Sequence, residues 1–150
     1  REAAKILAEK YNVESEVYSV TSFNELTRDG IDCERWNMRN IEKKARVPYI
    51  TQVLEDGNDG PTIAATDYIK AYSDQARSFV PGSYRVLGTD GFGRSDSREN
   101  LRRHFEVDAN SVVYATLYEL YLAGDFEKKA LLRAMKDLDI DPDKINPLYA

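Results

Sequence analysis

The residues best suited to binding chemistry lie in a glycine-rich stretch, residues 88–96 (GTDGFGRSD), which a predicted strand precedes and a predicted helix follows. Glycine permits tight backbone turns, and the free amides of a helix N-terminus near Arg94 and Arg98 could hold an anion. Ligands also bind at the carboxyl ends of strands in open α/β sheets. The candidate site residues are Asp90, Gly91, Gly93, Arg94, Ser95 and Asp96.

The same stretch, from Gly88 to Asp96, also has a purely structural interpretation. Its glycine spacing, Gly-x-x-Gly-x-Gly, matches neither the dinucleotide-binding fingerprint nor the P-loop. Asp96 and Glu99 have the spacing of a capping box for the helix that follows. We therefore favour a tight, well-capped turn, and we keep a small-anion or nucleotide site as the alternative.

Three further features could carry chemistry, and each has a simpler explanation. His104 follows two arginines in the last turn of a predicted helix, where cations suit the helix dipole, and no partner that would orient it as a general base is apparent. Cys33 is the only cysteine, so it forms no internal disulfide and fits a reducing cytosol. The charged run at 42–46 is most simply a solvated connector, although it could dock an acidic partner.

The elements that must position these residues alternate between strands and helices. Strands are predicted at 16–20, at 62–66 as a buried strand, and at 84–87. A helix is expected over residues 1–11, and Ser22 caps another that Gly30 interrupts before a second piece at 33–38. A short helix is expected to begin at residue 48, and a turn is expected at 56–61. Asp67 is expected to cap the next helix, and another helix is expected over 97–105. Asp108 is expected to cap a helix that ends at 124, and Asp125 is expected to cap the last one.

This alternation predicts an α/β fold with three layers, α/β/α, around a mainly parallel, mixed sheet. The length of 150 residues suits a single domain. The first helix begins without a cap, so we expect the chain to be a fragment of a longer protein, with a strand missing before that helix.

The predicted helix from 108 to 124 carries two apolar stripes. Val113, Leu117 and Leu120 form one stripe, and three tyrosines at 114, 118 and 121 form the other. The stripes suit a helix deep inside a small domain, or a tyrosine face that meets another domain or subunit. The sequence leaves both interpretations open.

Composition narrows the classes of function. The net charge is −5 and the pI is about 5.0, which argues against a surface for nucleic acid or an anionic membrane. No apolar run is long enough to span a bilayer. The residues alone therefore indicate an α/β domain without a visible active site.

Several longer stretches carry a family resemblance. The chain resembles the C-terminal part of the homodimeric pyruvate dehydrogenase E1 component, a thiamine-diphosphate-dependent, transketolase-like family, along essentially its whole length. The stretches that carry it are 17–38 (VYSVTSFNELTRDGIDCERWNM), 46–50 (RVPYI), 64–68 (AATDY), 84–109 (YRVLGTDGFGRSDSRENLRRHFEVDA) and the tail 139–150 (DIDPDKINPLYA).

The resemblance implies a role without catalysis for this segment. It implies an enzyme with three α/β domains, whose first two bind thiamine diphosphate and magnesium across a homodimer interface. Such an enzyme decarboxylates pyruvate and passes the remaining two-carbon unit to the lipoyl group of the E2 dihydrolipoyl acetyltransferase. The third domain, transketolase C-terminal-domain-like, contributes packing and dimerisation, and docking of E2 is an alternative role. The resemblance also implies a cytoplasmic, bacterial-type protein.

The magnesium motif of that family has no counterpart here. The motif is Gly-Asp-Gly followed about two dozen residues later by Asn, so that carboxylate and amide meet on the metal-bound diphosphate. Around Asp90 the first glycine is replaced by Thr89, and Asn100 and Asn110 come too early. We therefore expect the isolated segment to bind neither the cofactor nor the metal, and to have no catalytic residue.

Overall fold

A computed structural model describes residues 1–55 and 60–150. These residues form seven α-helices, one short 3-10 helix and two strands. In chain order they are α1 (Glu2–Tyr11), α2 (Phe23–Arg39), α3 (Tyr49–Glu55), β1 (Thr62–Ala65), α4 (Lys70–Asp74), the 3-10 helix (Arg77–Phe79), β2 (Tyr84–Leu87), α5 (Arg98–His104), α6 (Ala109–Ala123) and α7 (Lys128–Asp137). The predicted turn at 56–61 falls mainly on residues 56–59, which lie outside the described residues.

The sheet is parallel, and the predicted α/β class is confirmed. It is smaller than expected, since β1 and β2 are its only strands in the described part of the chain. Thr62 pairs with Tyr84 and Ala65 with Leu87. The described sheet is therefore not mixed, and β1 is only half-buried although a buried strand was predicted.

The predicted strand at 16–20 is wrong for the structure described. Residues 12–20 form neither helix nor strand, and Val17 is 58% exposed. The alternating apolar pattern alone does not make a strand. A strand also needs a neighbour to complete its hydrogen-bond ladder, and the described sheet consists of β1 and β2 alone.

Helix α2 runs unbroken through Gly30, where an interruption was predicted. Ser22 caps it as expected, since its hydroxyl accepts a hydrogen bond from the Glu25 amide at 3.2 Å. A Cβ at Gly30 would lie 2.4 Å from the Phe79 ring. Glycine stands here because the ring needs the space, and the two predicted helical pieces are one helix.

Two groups of buried apolar side chains form the core. The first joins α1, α6 and α7 through Ala3, Leu7, Val113, Leu117, Leu131, Ala134 and Leu138. The second lies around the sheet and α3 and contains Ile50, Leu54, Ala76, Phe79, Val80, Tyr84 and Val86. Helix α6 links the two groups, because it packs on α1 and α7 and also contacts both strands.

Both stripes of α6 face the chain's own interior. Val113 and Leu117 are fully buried, and the tyrosines at 114, 118 and 121 are half-buried against the first core group. Asp108 caps the helix as predicted, and it ends at Gly124 in the left-handed conformation (φ 90°). Packing within the domain thus accounts for the buried part of the three tyrosine side chains. Contact of their exposed part with another domain or subunit stays a prediction.

Two predicted caps are wrong. Helix α4 starts at Lys70. Its N-cap residue is Ile69, whose side chain forms no capping hydrogen bond, so Asp67 does not cap this helix. Helix α7 starts at Lys128 rather than after Asp125, again without a side-chain cap. Short polar residues near a helix start are common in turns as well as at caps, so spacing alone does not fix the first helical residue.

Candidate functional site

The glycine-rich loop lies where expected, at the carboxyl end of β2. Its first residues hold it against the start of α4. A Cβ at Gly88 would lie 2.8 Å from both the Tyr68 carbonyl and the Lys70 amide nitrogen. The Thr89 amide donates to the Tyr68 carbonyl at 2.9 Å, and the Thr89 hydroxyl donates to the Asp67 carbonyl at 3.0 Å. The glycine is required by close backbone packing, and no ligand is needed to explain it.

Asp90 supplies the cap that α4 lacks in its own sequence. Its Oδ1 accepts a hydrogen bond from the Lys70 backbone amide at 2.9 Å, and its Oδ2 lies 4.0 Å from Lys70 Nζ. Asp67, which we predicted as the cap, instead faces Arg102 at 3.1 Å and Arg98 at 3.8 Å. The cap therefore comes from a residue 20 positions away in sequence, which a search for local capping patterns cannot find.

The middle of the loop contacts the C-terminal tail. Gly91 has φ 110°, and a Cβ there would lie 2.3 Å from the Pro147 carbonyl oxygen. Phe92 projects outward and is exposed, and a Cβ at Gly93 would meet nothing within 4 Å. Packing and backbone conformation therefore require a glycine at position 91, whereas packing does not require one at position 93.

The end of the loop caps α5 one residue later than predicted. The Ser97 hydroxyl accepts from the Asn100 amide at 3.2 Å, so Ser97 is the N-cap. The Asp96 carboxylate accepts from the Ser97 amide at 2.6 Å and from Asn100 Nδ2 at 2.9 Å. The side-chain hydrogen bond from Asn100, with help from the Ser97 amide, holds the pKa of Asp96 below its usual range. The predicted capping box of Asp96 with Glu99 is therefore wrong.

This geometry does not favour the anion site. The Asp96 carboxylate already lies at the start of α5, so an added anion would meet a like charge. Arg98, one of the two arginines expected to hold the anion, is directed to Asp67. Arg94 and Ser95 are exposed. A shallow cavity of about 570 Å³ lies beside them and is lined by Phe92, Gly93, Arg94, Ser95, Asp96, Asn100, Leu101 and His104.

His104 borders that cavity at the end of α5. Its Nε2 is buried, with no hydrogen-bond partner among the described residues, and its ring packs edge-on against Phe105, with centroids 4.8 Å apart. The Lys144 ammonium donates to the carbonyls of Arg103 and His104 at 2.9 and 2.8 Å. A lysine from the tail thus satisfies the carbonyl end of α5, the position at which a cation is favourable. The described contacts give His104 no group that would orient it as a base.

The residues that resemble a magnesium motif do not fit a magnesium–diphosphate group. The Asp90 carboxylate is bonded to Lys70, and the Asn100 amide is bonded to Asp96. Within residues 1–55 and 60–150, no three His, Cys, Asp or Glu side chains are grouped so as to hold a metal ion. The loop supplies neither the carboxylate nor the amide that such a site requires.

Sequence reasoning missed a buried polar network between α6 and β2. Glu119 is buried on α6 and accepts hydrogen bonds from the Ser83 hydroxyl and the Arg85 guanidinium. The Arg85 guanidinium also lies over the Tyr118 ring, 5.1 Å from its centroid. Burial raises the pKa of Glu119, but the bonds from Ser83 and Arg85 outweigh burial and hold it below its usual value. The sequence signal that could have revealed this network was Glu119 itself, the one acidic residue within the apolar sequence of α6.

Cys33 is buried on α2, in agreement with its assignment as an ordinary thiol. Burial raises its pKa, and the nearby Asp29 and Asp32 raise it further. A raised pKa leaves less of the thiolate that acts as a nucleophile. The thiol is therefore not prepared for nucleophilic chemistry.

The described structure also has an open groove of about 1720 Å³. Its lining includes the start of α1, residues 15–22, β1 and the start of α6. Most of these residues are apolar or neutral, and the groove has no convergent set of catalytic groups. None of the described helices combines the length and apolar character needed to cross a membrane.

The chain is similar along essentially its whole length to part of several known proteins. The chain is 60% identical over its whole length to the C-terminal part of the pyruvate dehydrogenase E1 component of Escherichia coli K12, of which it covers 17%. It is 54% identical over its whole length to the E1 component of Haemophilus influenzae, again 17% of that protein. The corresponding protein of Pseudomonas aeruginosa is 50% identical over 98% of the chain and 17% of its own length.

The chain thus spans about 17% of the length of these relatives. A family profile described as the transketolase-like TK C-terminal domain matches residues 1–108, which include β1, β2 and the glycine-rich loop. The parallel strands, the loop after β2 and this match together show that the chain belongs to the family of transketolase-like C-terminal domains.

Proposed function

We propose that these 150 residues are the C-terminal structural domain of a pyruvate dehydrogenase E1 enzyme. The observation that carries the proposal is the match of the whole chain, at 60% identity, to the C-terminal part of one such protein. The whole protein would decarboxylate pyruvate with thiamine diphosphate and magnesium and pass the two-carbon unit to the lipoyl group of E2. It would act as a homodimer within the cytoplasmic multienzyme complex.

In this proposal the domain packs against the upstream domains and supports the dimer, while catalysis takes place elsewhere. The local geometry supports that division. Asp90, Asp96 and Gly91 are engaged in holding the loop to α4, α5 and the tail.

The test compares the full-length protein with residues 1–150 alone. Isothermal titration with thiamine diphosphate and magnesium should show binding to the former and none to the latter, and only the former should release carbon dioxide from pyruvate. Micromolar binding of the cofactor to the isolated segment would overturn the proposal, as would a full-length protein inactive on pyruvate. No specific observation favours the anion-binding or E2-docking alternatives.

A further inference from the structure

Basic side chains are concentrated at the end of α2 and in the connector that follows it. Residues 35–46 contain five of the chain's 21 basic residues and one of its 26 acidic residues, although the net charge of the chain is −5. A local excess of one charge attracts partners of the opposite charge. We call this surface the basic corner; it consists of Arg35, Trp36, Arg39, Lys43, Lys44 and Arg46.

Trp36 holds the connector part of the basic corner against α2. The Arg46 guanidinium lies over the indole ring, 4.3 Å from its centroid, and the Lys43 ammonium lies 5.7 Å from the same centroid. Both distances are within the reach of a cation–π interaction. Two cations of the connector are thereby brought to a single ring on the helix.

Hydrogen bonds fix the backbone that carries these cations. Asn37 brackets Arg46, because its Nδ2 donates to the Arg46 carbonyl at 2.8 Å and its Oδ1 accepts from the Arg46 amide at 2.7 Å. Asn40 Nδ2 donates to the Trp36 carbonyl at 2.8 Å, and the Lys43 amide donates to the Asn40 carbonyl at 2.9 Å. A connector held in this way loses little conformational entropy when a partner binds to it.

Most of the positive charge of the basic corner is not neutralised within the domain. Arg46 is the exception, since its guanidinium lies 3.6 Å from the Asp32 carboxylate. The acidic neighbours Glu34 and Glu42 are exposed and too few to balance the corner. In residues 1–55 and 60–150, no salt bridge is formed by the four other basic side chains, all of them exposed, which are Arg35, Arg39, Lys43 and Lys44.

The surroundings of the basic corner favour a short acidic segment of a protein over a long polyanion. Outside residues 35–46 the chain has 25 acidic and 16 basic residues, so a nucleic acid or an anionic membrane extending beyond the corner would meet like charge. Ile41 lies in the same connector and is 87% exposed. An apolar side chain of a polypeptide can cover it, and clusters of arginine recognise acidic motifs in peptides.

We propose that the basic corner binds a short acidic segment of another protein. Carboxylates of that segment pair with the cations of α2 and of the connector, and an apolar side chain between them covers Ile41. The inference does not depend on the proposed function, because it rests on the charge and the geometry of residues 35–46 alone.

Fluorescence anisotropy with the full-length protein tests the inference. The probe is a short fluorescein-labelled peptide of glutamates with one central leucine, and its control is the same peptide with glutamines in place of the glutamates. Charge is reversed in the corner by Lys43→Glu together with Lys44→Glu. The matched control variant reverses the other adjacent pair of exposed lysines, at the start of α7, by Lys128→Glu together with Lys129→Glu.

We expect the glutamate peptide to bind the wild type and the α7 variant equally, and the corner variant at least about tenfold more weakly. Raising the salt from about 0.05 M to about 0.3 M should weaken binding to the wild type, since exposed charges are screened. An absence of binding to the wild type, equal binding of the glutamine peptide, or equal weakening in the two charge-reversal variants would each overturn the inference.

Two further measurements separate an organised site from general attraction of charge. Trp36→Leu keeps every charge and removes the ring on which Lys43 and Arg46 lie, so it should weaken binding about threefold, with circular dichroism as the check that the protein is folded. Binding as tight as that of the wild type would contradict the arrangement proposed. A single-stranded DNA oligonucleotide of the same charge should displace the probe less well than the unlabelled glutamate peptide; equal displacement would show a surface for polyanions instead.

Discussion

The buried carboxylate of Glu119 on α6 forms an ion pair with Arg85 on β2, and this pair joins the helix that crosses the core to the sheet. The two partners differ in their surroundings, since the Glu119 side chain is 8% exposed and that of Arg85 is 39% exposed. Ser83, just before β2, donates a second hydrogen bond to the same carboxylate. Removing either partner should therefore have unequal consequences.

Arg85→Met should destabilise the protein more than Glu119→Gln does. The first change leaves a buried carboxylate with Ser83 as its remaining donor, and removing one partner of a buried pair costs about 3 kcal/mol. The second leaves a half-exposed guanidinium that water can solvate, for which about 1 kcal/mol is expected. Urea denaturation measures both, and an equal loss in the two variants would contradict the asymmetry.

The stability of the wild type and that of Arg85→Met should also respond to pH in opposite ways. The folded-state pKa of Glu119 lies below its ordinary value of 4.5, so its stabilising effect is present above that value and is lost as the pH falls through the lowered pKa. In Arg85→Met, burial acts with less opposition and raises the Glu119 pKa, so acid favours the folded state there. The difference in unfolding free energy between wild type and Arg85→Met should shrink as the pH is lowered from about 6 to about 4.

Gly30→Ala should destabilise the protein although alanine favours helix. The new Cβ would lie 2.4 Å from the ring of Phe79, which is itself buried. Overpacking costs about 1–3 kcal/mol and outweighs the gain of about 1 kcal/mol in helix propensity. In the background of Phe79→Leu the same change should be less harmful. A Gly30→Ala protein as stable as wild type would show that the ring can move aside at no cost.

The sequence predicted what depends on local patterns. The caps by Ser22 and Asp108 and the end of α6 at Gly124 follow from residues a few positions apart, and they are confirmed. What failed depends on contacts between distant segments. Gly30 was taken as a break because its contact with Phe79 spans almost fifty residues and leaves no local mark.

The candidate loop shows the same limit. Its position after a strand and its turn chemistry were predictable, because glycines and short polar residues have local effects. That Asp90 caps α4 and that Gly91 meets Pro147 depends on the folded arrangement. The sequence of the glycine-rich loop resembled a binding loop because close backbone packing and ligand binding favour the same residue types.

Replacing Asp90 should weaken the start of α4. Asp90→Ala removes the acceptor for the Lys70 amide, and loss of a cap costs about 1 kcal/mol. Asp90→Asn keeps an oxygen acceptor and loses only a long ion pair with Lys70, so its effect should be a few tenths of a kcal/mol. Asp67→Ala serves as a comparison, because Asp67 does not cap the helix. Hydrogen exchange of the Lys70 amide should increase in Asp90→Ala and stay near wild type in the other two; faster exchange in Asp67→Ala would restore that residue as the cap.

Gly91→Ala should release the C-terminal tail from the loop, and Gly93→Ala provides a matched control two residues away. At Gly91 an alanine would adopt φ 110° and place its Cβ 2.3 Å from the Pro147 carbonyl oxygen, whereas at Gly93 a Cβ meets nothing within 4 Å. Strain of this kind costs about 1–3 kcal/mol. Because the tail also reaches α5 through Lys144, its loss should expose the carbonyls of Arg103 and His104 as well. Hydrogen exchange over residues 143–150 should therefore rise in Gly91→Ala and stay unchanged in Gly93→Ala. An equal rise in both variants would mean that backbone freedom of the loop, and not its contact with Pro147, holds the tail.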